Sequence, residues 1–337
     1  MSQYDFLNVL EGIFRDEVDL ANTYKGLPEG FFENLKTDPN PGMVQVGLTN
    51  VCDLACGQCY HRLLKKKRGY SPIFMKFEIL KRIINETATL SGTKALRFLG
   101  KGESLLHPNL IDIVSYAKAN LEIPIVLISN GVKLNGETTR KLLETGVDVL
   151  DISLDANTAK TYGIVRSHPN IFATLTRNVE RLIEIRNQEG FGTKIFVSFL
   201  VQPENYHEAN AFKSRWQKKV DKILWRKYHT YGGKLDCKPI PHKKRIPCAA
   251  LWSRLNINER GLITRCFVDW DDEHVLADFN DLATTLLKTW QGIEFEHVRQ
   301  QHLEGKFCGV CKKCEGWTTA HWNISYEKAL EMTGEKQ

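Results

Sequence analysis

Short apolar runs rich in branched residues recur along the chain: MVQVGLT (43–49), KALRFLG (94–100), IPIVLISNG (123–131), VDVLDISLD (147–155), TKIFVSFLV (193–201) and KILWRKY (222–228). Between them, apolar positions return at helical spacing near 75–90, 108–120, 136–145, 158–162, 170–189 and 205–219. Such runs suit strands buried on both faces, and their alternation with helices predicts βαβ units on a parallel sheet. Six units in a row predict an α/β fold, an open or partial barrel whose reactive face lies at the carboxyl ends of its strands.

The pattern breaks after about residue 232 in a Gly/Pro/Lys-rich stretch, GGKLDCKPIPHKKRIP. The expected organisation is therefore an N-terminal helical extension (1–42), a barrel (43–232) and a small Cys- and Trp-rich module (233–337). Within that module, WSRLNIN and GLITRC read as a β-hairpin around Glu259-Arg260-Gly261, which draws Cys248 and Cys266 toward one site. The apolar content of 42% with 26% charged residues, over 337 residues, is that of an ordinary globular protein. No run of about 18 uncharged apolar residues occurs, and the N-terminal MSQYDFLNVLEGIFRDEVDL is amphipathic and acidic, so the expectation is a cytoplasmic protein with no membrane contact. A formal charge of +6, densest in LLKKKRGY and PHKKRIP, fits solvated faces; it allows acidic substrates or nucleic acid without demanding them.

The cysteines change this picture. There are nine, bunched in two places of a large chain, which points to metal rather than disulfides. In TNVCDLACGQCYHRL (49–63), Cys52, Cys56 and Cys59 form CxxxCxxC in the loop after the first strand. Three thiolates could hold three irons of a cubane cluster and leave the fourth open. A structural zinc site takes four ligands.

At these residues the sequence resembles the radical SAM family, whose motif is CxxxCxφC after the first strand of a TIM-like partial (β/α)6 barrel. Gln58 stands at the usually aromatic position, and Tyr60 follows the last cysteine. The resemblance implies a [4Fe-4S] cluster on Cys52, Cys56 and Cys59, with the open iron chelated by S-adenosylmethionine. One-electron reduction then yields methionine and a 5′-deoxyadenosyl radical. FLGKGESLLHP (98–108) looks like the family's GGE segment, placing Gly102 and Glu103 at the methionyl amine, with Lys101 where a motif glycine is usual. LISNG and DISLD add Ser129, Asn130, Ser153 and Asp155, and Arg166 follows; Tyr60 is grouped with these cofactor-binding residues. An electron donor such as flavodoxin or ferredoxin is implied.

The C-terminal cysteines, Cys248, Cys266, Cys308, Cys311 and Cys314, include a Cx12Gx4C pattern and a closing CxxCxGW, and resemble SPASM/Twitch extensions. The resemblance implies one auxiliary [4Fe-4S] cluster on Cys248, Cys266, Cys311 and Cys314, the alternative being a zinc ribbon of the same four thiolates. Cys237 and Cys308 are then spare and could donate a hydrogen atom in an epimerase; otherwise the auxiliary cluster takes an electron and the outcome is oxidation. The segment before Cys52 is shorter than a leader-binding domain, which favours a small polar substrate (carbohydrate, aminoglycoside-like or nucleotide) over a ribosomal peptide. Trp225, Arg226, Tyr228, His229 and Tyr231, at the end of the sixth strand, either meet that substrate or pack the module onto the barrel.

Overall fold

The computed structural model describes residues 29–228, 230–235 and 245–319. The expected N-terminal helix, His229 and Cys237 lie outside the described residues. Six strands, β1 (Met43–Val46), β2 (Ala95–Phe98), β3 (Ile125–Ser129), β4 (Val149–Ser153), β5 (Lys194–Val201) and β6 (Lys222–Lys227), pair in parallel in sequence order. The turns between them carry α1 (His61–Leu64), α2 (Phe77–Ala88), α3 (Leu110–Asn120), α4 (Gly136–Glu144), α5 (Ala159–Arg166), α6 (Phe172–Gln188) and α7 (Ala209–Trp216). This is the α/β partial barrel read from the alternating pattern.

Local chemistry sets the helix ends. In α2 the buried Leu80, Ile83, Ile84 and Thr87 recur at helical spacing and seat one stripe on the sheet. Asn135 caps α4 by accepting from Thr138 N at 3.0 Å, and Thr158 caps α5 by accepting from Thr161 N at 3.2 Å. The sequence pattern predicted only 158–162 for α5; the helix continues to Arg166 and stops where Ser167 turns left-handed at φ 65°. The 205–219 stretch divides into a 3₁₀ turn, Tyr206–Glu208, and α7.

Strand alternation corrects the reading of the sixth strand. Trp225 does not line the barrel mouth. Its ring packs 5.3 Å from Phe199 and 6.0 Å from Phe212 in the layer beneath the helices. The next residue, Arg226, points to the opposite face and pairs with the fully buried Asp151 of β4.

The C-terminal chain forms α8 (Ala250–Ser253), the expected hairpin as β7 (Arg254–Ile257) and β8 (Leu262–Thr264), then β9 (Val275–Asp278), α9 (Leu286–Trp290) and α10 (Ile293–Leu303). The hairpin does not stand apart from the barrel. β7 pairs in parallel with β1, and β8 and β9 continue antiparallel, so one nine-stranded sheet runs through both parts. β1 would otherwise present an unpaired edge; β7 satisfies it and carries the 259–272 segment to the same end of the sheet as the cysteine loop. Among the described residues no helix is long and apolar enough to cross a membrane.

Phe199 is wholly buried and its ring lies 4.8 Å from that of Phe212. Phe199→Ala is expected to cost about 3–5 kcal/mol through the cavity it leaves. Chemical denaturation followed by circular dichroism measures this, and an unchanged midpoint would contradict the packing described.

Candidate active site

The loop from Asn50 to Tyr60 leaves the carboxyl end of β1 and is held from three sides. Asn50 donates to Ser71 O at 2.9 Å and accepts from Ile73 N at 2.8 Å, while its own carbonyl lies 2.7 Å from His61 Nε2. Lys65 Nζ donates to Cys52 O at 2.6 Å. On the β2 side, Glu103 N donates to Val51 O at 2.7 Å, and Gly102 lies so close that a Cβ there would stand 2.3 Å from the same oxygen. Only glycine permits that approach. At the third side Gly57 N donates to Val165 O at 3.1 Å and Ser167 Oγ to Ala55 O at 2.8 Å, which ties the loop to the end of α5.

These bonds bring Cys52, Cys56 and Cys59 within electrostatic reach of one another, Cys56 buried and the other two half-buried. Burial pushes the Cys52 thiol up to about 12 and Cys59 up to about 11, with neighbouring thiols and carboxylates adding to the effect. Cys56 is also raised, chiefly by burial and partly relieved by Arg166. Arg166 donates to Cys56 Sγ at 3.6 Å and to Asp155 Oδ2 at 2.5 Å. Asp155 accepts in addition from Leu200 N at 2.7 Å and from Gln58 Nε2 at 3.0 Å. The glutamine at the position where an aromatic residue was expected thus fastens the cysteine loop to the end of β4. Tyr231 hydrogen-bonds the Cys59 sulfur.

The remaining predicted residues divide into groups. Glu103 accepts from Ser129 Oγ at 2.7 Å, from Asn130 N at 2.7 Å and from Leu105 N at 3.0 Å. Burial nonetheless pushes its carboxyl up to about 7 against those bonds. Asn130 Nδ2 donates to Asp53 Oδ1 at 2.7 Å, and the second Asp53 oxygen is buried with no partner among the described residues. Glu103, Ser129, Asn130 and Asp53 therefore form one acidic corner beside the cysteine loop. Asp155 and Arg166 pair with each other, and Ser153 stands half-buried at the end of β4. The Tyr60 hydroxyl faces elsewhere: it donates to Asp271, 3.0 Å away, which Lys67 and Lys234 also hold.

In the C-terminal part, Cys248, Cys266, Cys311 and Cys314, the four that the resemblance implies, lie close enough for their charges to act on one another. Burial raises all four, Cys248 to about 12 and Cys314 to about 11, and Cys266 feels each of the other three. Cys308 Sγ donates to Gln301 Oε1 at 3.2 Å and shares the Arg265 guanidinium with Cys311. Among the described residues no three His, Cys, Asp or Glu side chains converge as ligands of a single ion. A cubane asks something different, one thiolate on each iron. Both thiol groups fit such a group in donor chemistry: buried thiols that resist ionisation alone, with no competing disulfide among the described cysteines.

Sequence reasoning missed Lys101 as a structural contact. Its buried ammonium lies 2.8 Å from Asp272 Oδ1 and 3.4 Å from Glu259 Oε1, linking the segment before Glu103 to the C-terminal part. A lysine in a glycine motif was the available signal. A cavity of about 30 Å³, room for about one water, touches Lys101, Asn256, Glu259 and Cys266.

Comparison with known proteins agrees with this arrangement. The sequence matches the radical SAM superfamily over residues 46–213, about half of the chain. The 7,8-dihydro-6-hydroxymethylpterin dimethyltransferase of Methanocaldococcus jannaschii is 26% identical over 183 residues, 54% of this chain and 34% of that protein. The tungsten-containing aldehyde ferredoxin oxidoreductase cofactor-modifying protein of Pyrococcus furiosus is 26% identical over 163 residues, 48% of this chain and 44% of that one. The chain thus spans between a third and a half of the length of these relatives. Among solved structures, Streptococcus suis SuiB bound to precursor peptide SuiA superposes with TM-score 0.62 at 14% identity, covering 98% of this chain and 87% of that one. BtrN in complex with AdoMet and 2-DOIA gives TM-score 0.56 at 17% identity, covering 81% and 92%. At these identities the structural likeness is one of fold.

The Glu103 carboxyl binds its proton more tightly folded, at about 7, than at its ordinary 4.5, so its contribution favours the fold at low pH and is lost as pH rises through about 7. Glu103→Gln does not titrate. The stability of metal-free wild type relative to that variant should therefore fall by about 3 kcal/mol between roughly pH 4.5 and 8. Denaturant titrations at several pH values check this, and a constant difference would show that Glu103 ionises freely.

Proposed function

We propose that this chain, which belongs to the radical SAM superfamily, abstracts a C–H hydrogen from a small polar substrate and passes an electron to an auxiliary cluster held by its C-terminal cysteines. The observation that carries this reading is the pair of thiol groups, three in the β1 loop and four in the C-terminal part, each raised by burial and by its neighbouring thiols. Cys52, Cys56 and Cys59 would hold the first [4Fe-4S] cluster, and Cys248, Cys266, Cys311 and Cys314 the second. When bound, the first cluster and S-adenosylmethionine supply the radical that removes the hydrogen atom.

The residues of the chain do the positioning. Asp53 and Glu103 would offer carboxylate oxygens to the methionyl ammonium, whose charge would draw the Glu103 carboxyl down from its raised value. Gly102 keeps the motif against the cysteine loop, and Arg166 with Asp155 fixes the end of α5 beside Cys56. Burial of this corner excludes water from a reactive intermediate. The tethering of Cys308 to Gln301 supports oxidation over epimerisation through that thiol. BtrN, whose structure holds AdoMet with 2-DOIA, supports a small polar substrate. A peptide substrate is the second reading, favoured by the likeness to peptide-bound SuiB along nearly the whole chain. Free thiols in such number suit a reducing, cytoplasmic compartment.

Anaerobic reconstitution tests the proposal. Wild type should take up about eight irons, four for each cubane, and form 5′-deoxyadenosine from S-adenosylmethionine under dithionite. The triple variant Cys52→Ala, Cys56→Ala, Cys59→Ala should keep about half the iron and form none. Uptake of zinc in place of the second set of irons would reduce the C-terminal centre to a structural ribbon. Absence of the nucleoside in fully loaded wild type would remove the radical mechanism.

A further inference from the structure

The two thiol groups differ in the charges built around them. Beside the barrel cysteines, the Arg166 guanidinium that donates to Cys56 Sγ is neutralised by Asp155 at 2.5 Å, and Asp53 and Glu103 stand close enough to act on Cys52. Beside the C-terminal cysteines the balance is reversed. Arg265, only 4% exposed, donates to Cys311 Sγ at 3.4 Å, to Cys308 Sγ at 3.7 Å and to Cys308 O at 3.2 Å. Arg245 donates to Cys311 O at 2.5 Å and lies 3.8 Å over the Phe307 ring. Among the described residues neither guanidinium has a carboxylate partner.

We propose that Arg265 sets the electron affinity of the C-terminal centre, making it the stronger electron acceptor of the two; this rests on reading that centre as an iron–sulfur cluster. The physical reason is direct. Reduction adds a negative charge to a thiolate-ligated cluster, and an uncompensated cation donating to one of its sulfurs stabilises the reduced form more than the oxidised one. Burial strengthens this, because little water reaches the guanidinium to screen it. At the barrel site the same kind of contact is cancelled by Asp155. The direction of electron flow is thus written into the pairing of two arginines, one neutralised and one not. Arg265 acts through Cys311 and is a positioning residue.

The test uses the full chain with Cys52, Cys56 and Cys59 replaced by alanine, so that a single redox centre remains. Midpoint potentials are measured by anaerobic redox titration with electron paramagnetic resonance, and iron is counted in each sample. Arg265→Gln should make reduction about tenfold less favourable, a fall of 59 mV for a one-electron couple. Arg265→Lys, which keeps the charge, should fall between that variant and the parent. Arg260→Gln, at an exposed arginine paired with Asp272, should leave the potential unchanged. Full iron content with the parent potential in Arg265→Gln would overturn the inference. If Arg265→Gln loses its iron, Arg265→Lys decides: an iron-loaded Arg265→Lys whose potential falls by about 59 mV or more, although the charge is kept, would also overturn the inference. Zinc in place of iron in the parent would instead overturn the iron–sulfur reading beneath it.

Discussion

Burying thiols away from water is the constraint around which the rest of this structure is arranged. A thiol loses its readiness to ionise when buried, and seven of the described cysteines are raised chiefly for that reason. A fold gains nothing by grouping such side chains unless something cationic joins them, because each thiolate would raise the next. The hydrogen-bonding around the β1 loop follows from this. Part of it goes to backbone atoms, of Asn50, Val51, Cys52, Ala55 and Gly57, and part to the side chains of Asn50, Asp53 and Gln58.

The strands and the cysteine loop were legible because each depends on near neighbours in sequence. Apolar runs of strand length and a CxxxCxxC spacing both declare themselves within a few residues. What was hidden depends on pairs far apart. Nothing local tells that β7 joins β1 across more than two hundred residues, or that Gln58 is there for Asp155. Trp225 illustrates a different limit. Its strand carries apolar residues at both alternating phases, Ile223 and Trp225 at one and Leu224 at the other, so the lumen and the helix layer cannot be told apart from the run alone. Only the partner, Phe199, decides.

The seam between barrel and C-terminal part sets charged pairs beside its apolar packing, in which Tyr60 meets Trp270 and Leu235. Lys101 meets Asp272 and Glu259, and Asp271 gathers Tyr60, Lys67 and Lys234. Buried ion pairs add little net stability, since desolvation offsets most of the attraction, but they tolerate little misplacement. Their value here is in register. Lys101 lies two residues before Glu103, Tyr60 directly follows Cys59, and Asp271 and Asp272 follow Cys266 by five and six residues. Two of these contacts, Lys101 with Asp272 and Tyr60 with Asp271, therefore join the segments that carry the two thiol groups. Apolar packing could slide by an ångström at small cost, whereas a lysine held between two carboxylates cannot. If an electron is to cross between the two centres, the distance it crosses is what these charges fix, and that is the physical reason for placing charge in a seam where it contributes so little to stability.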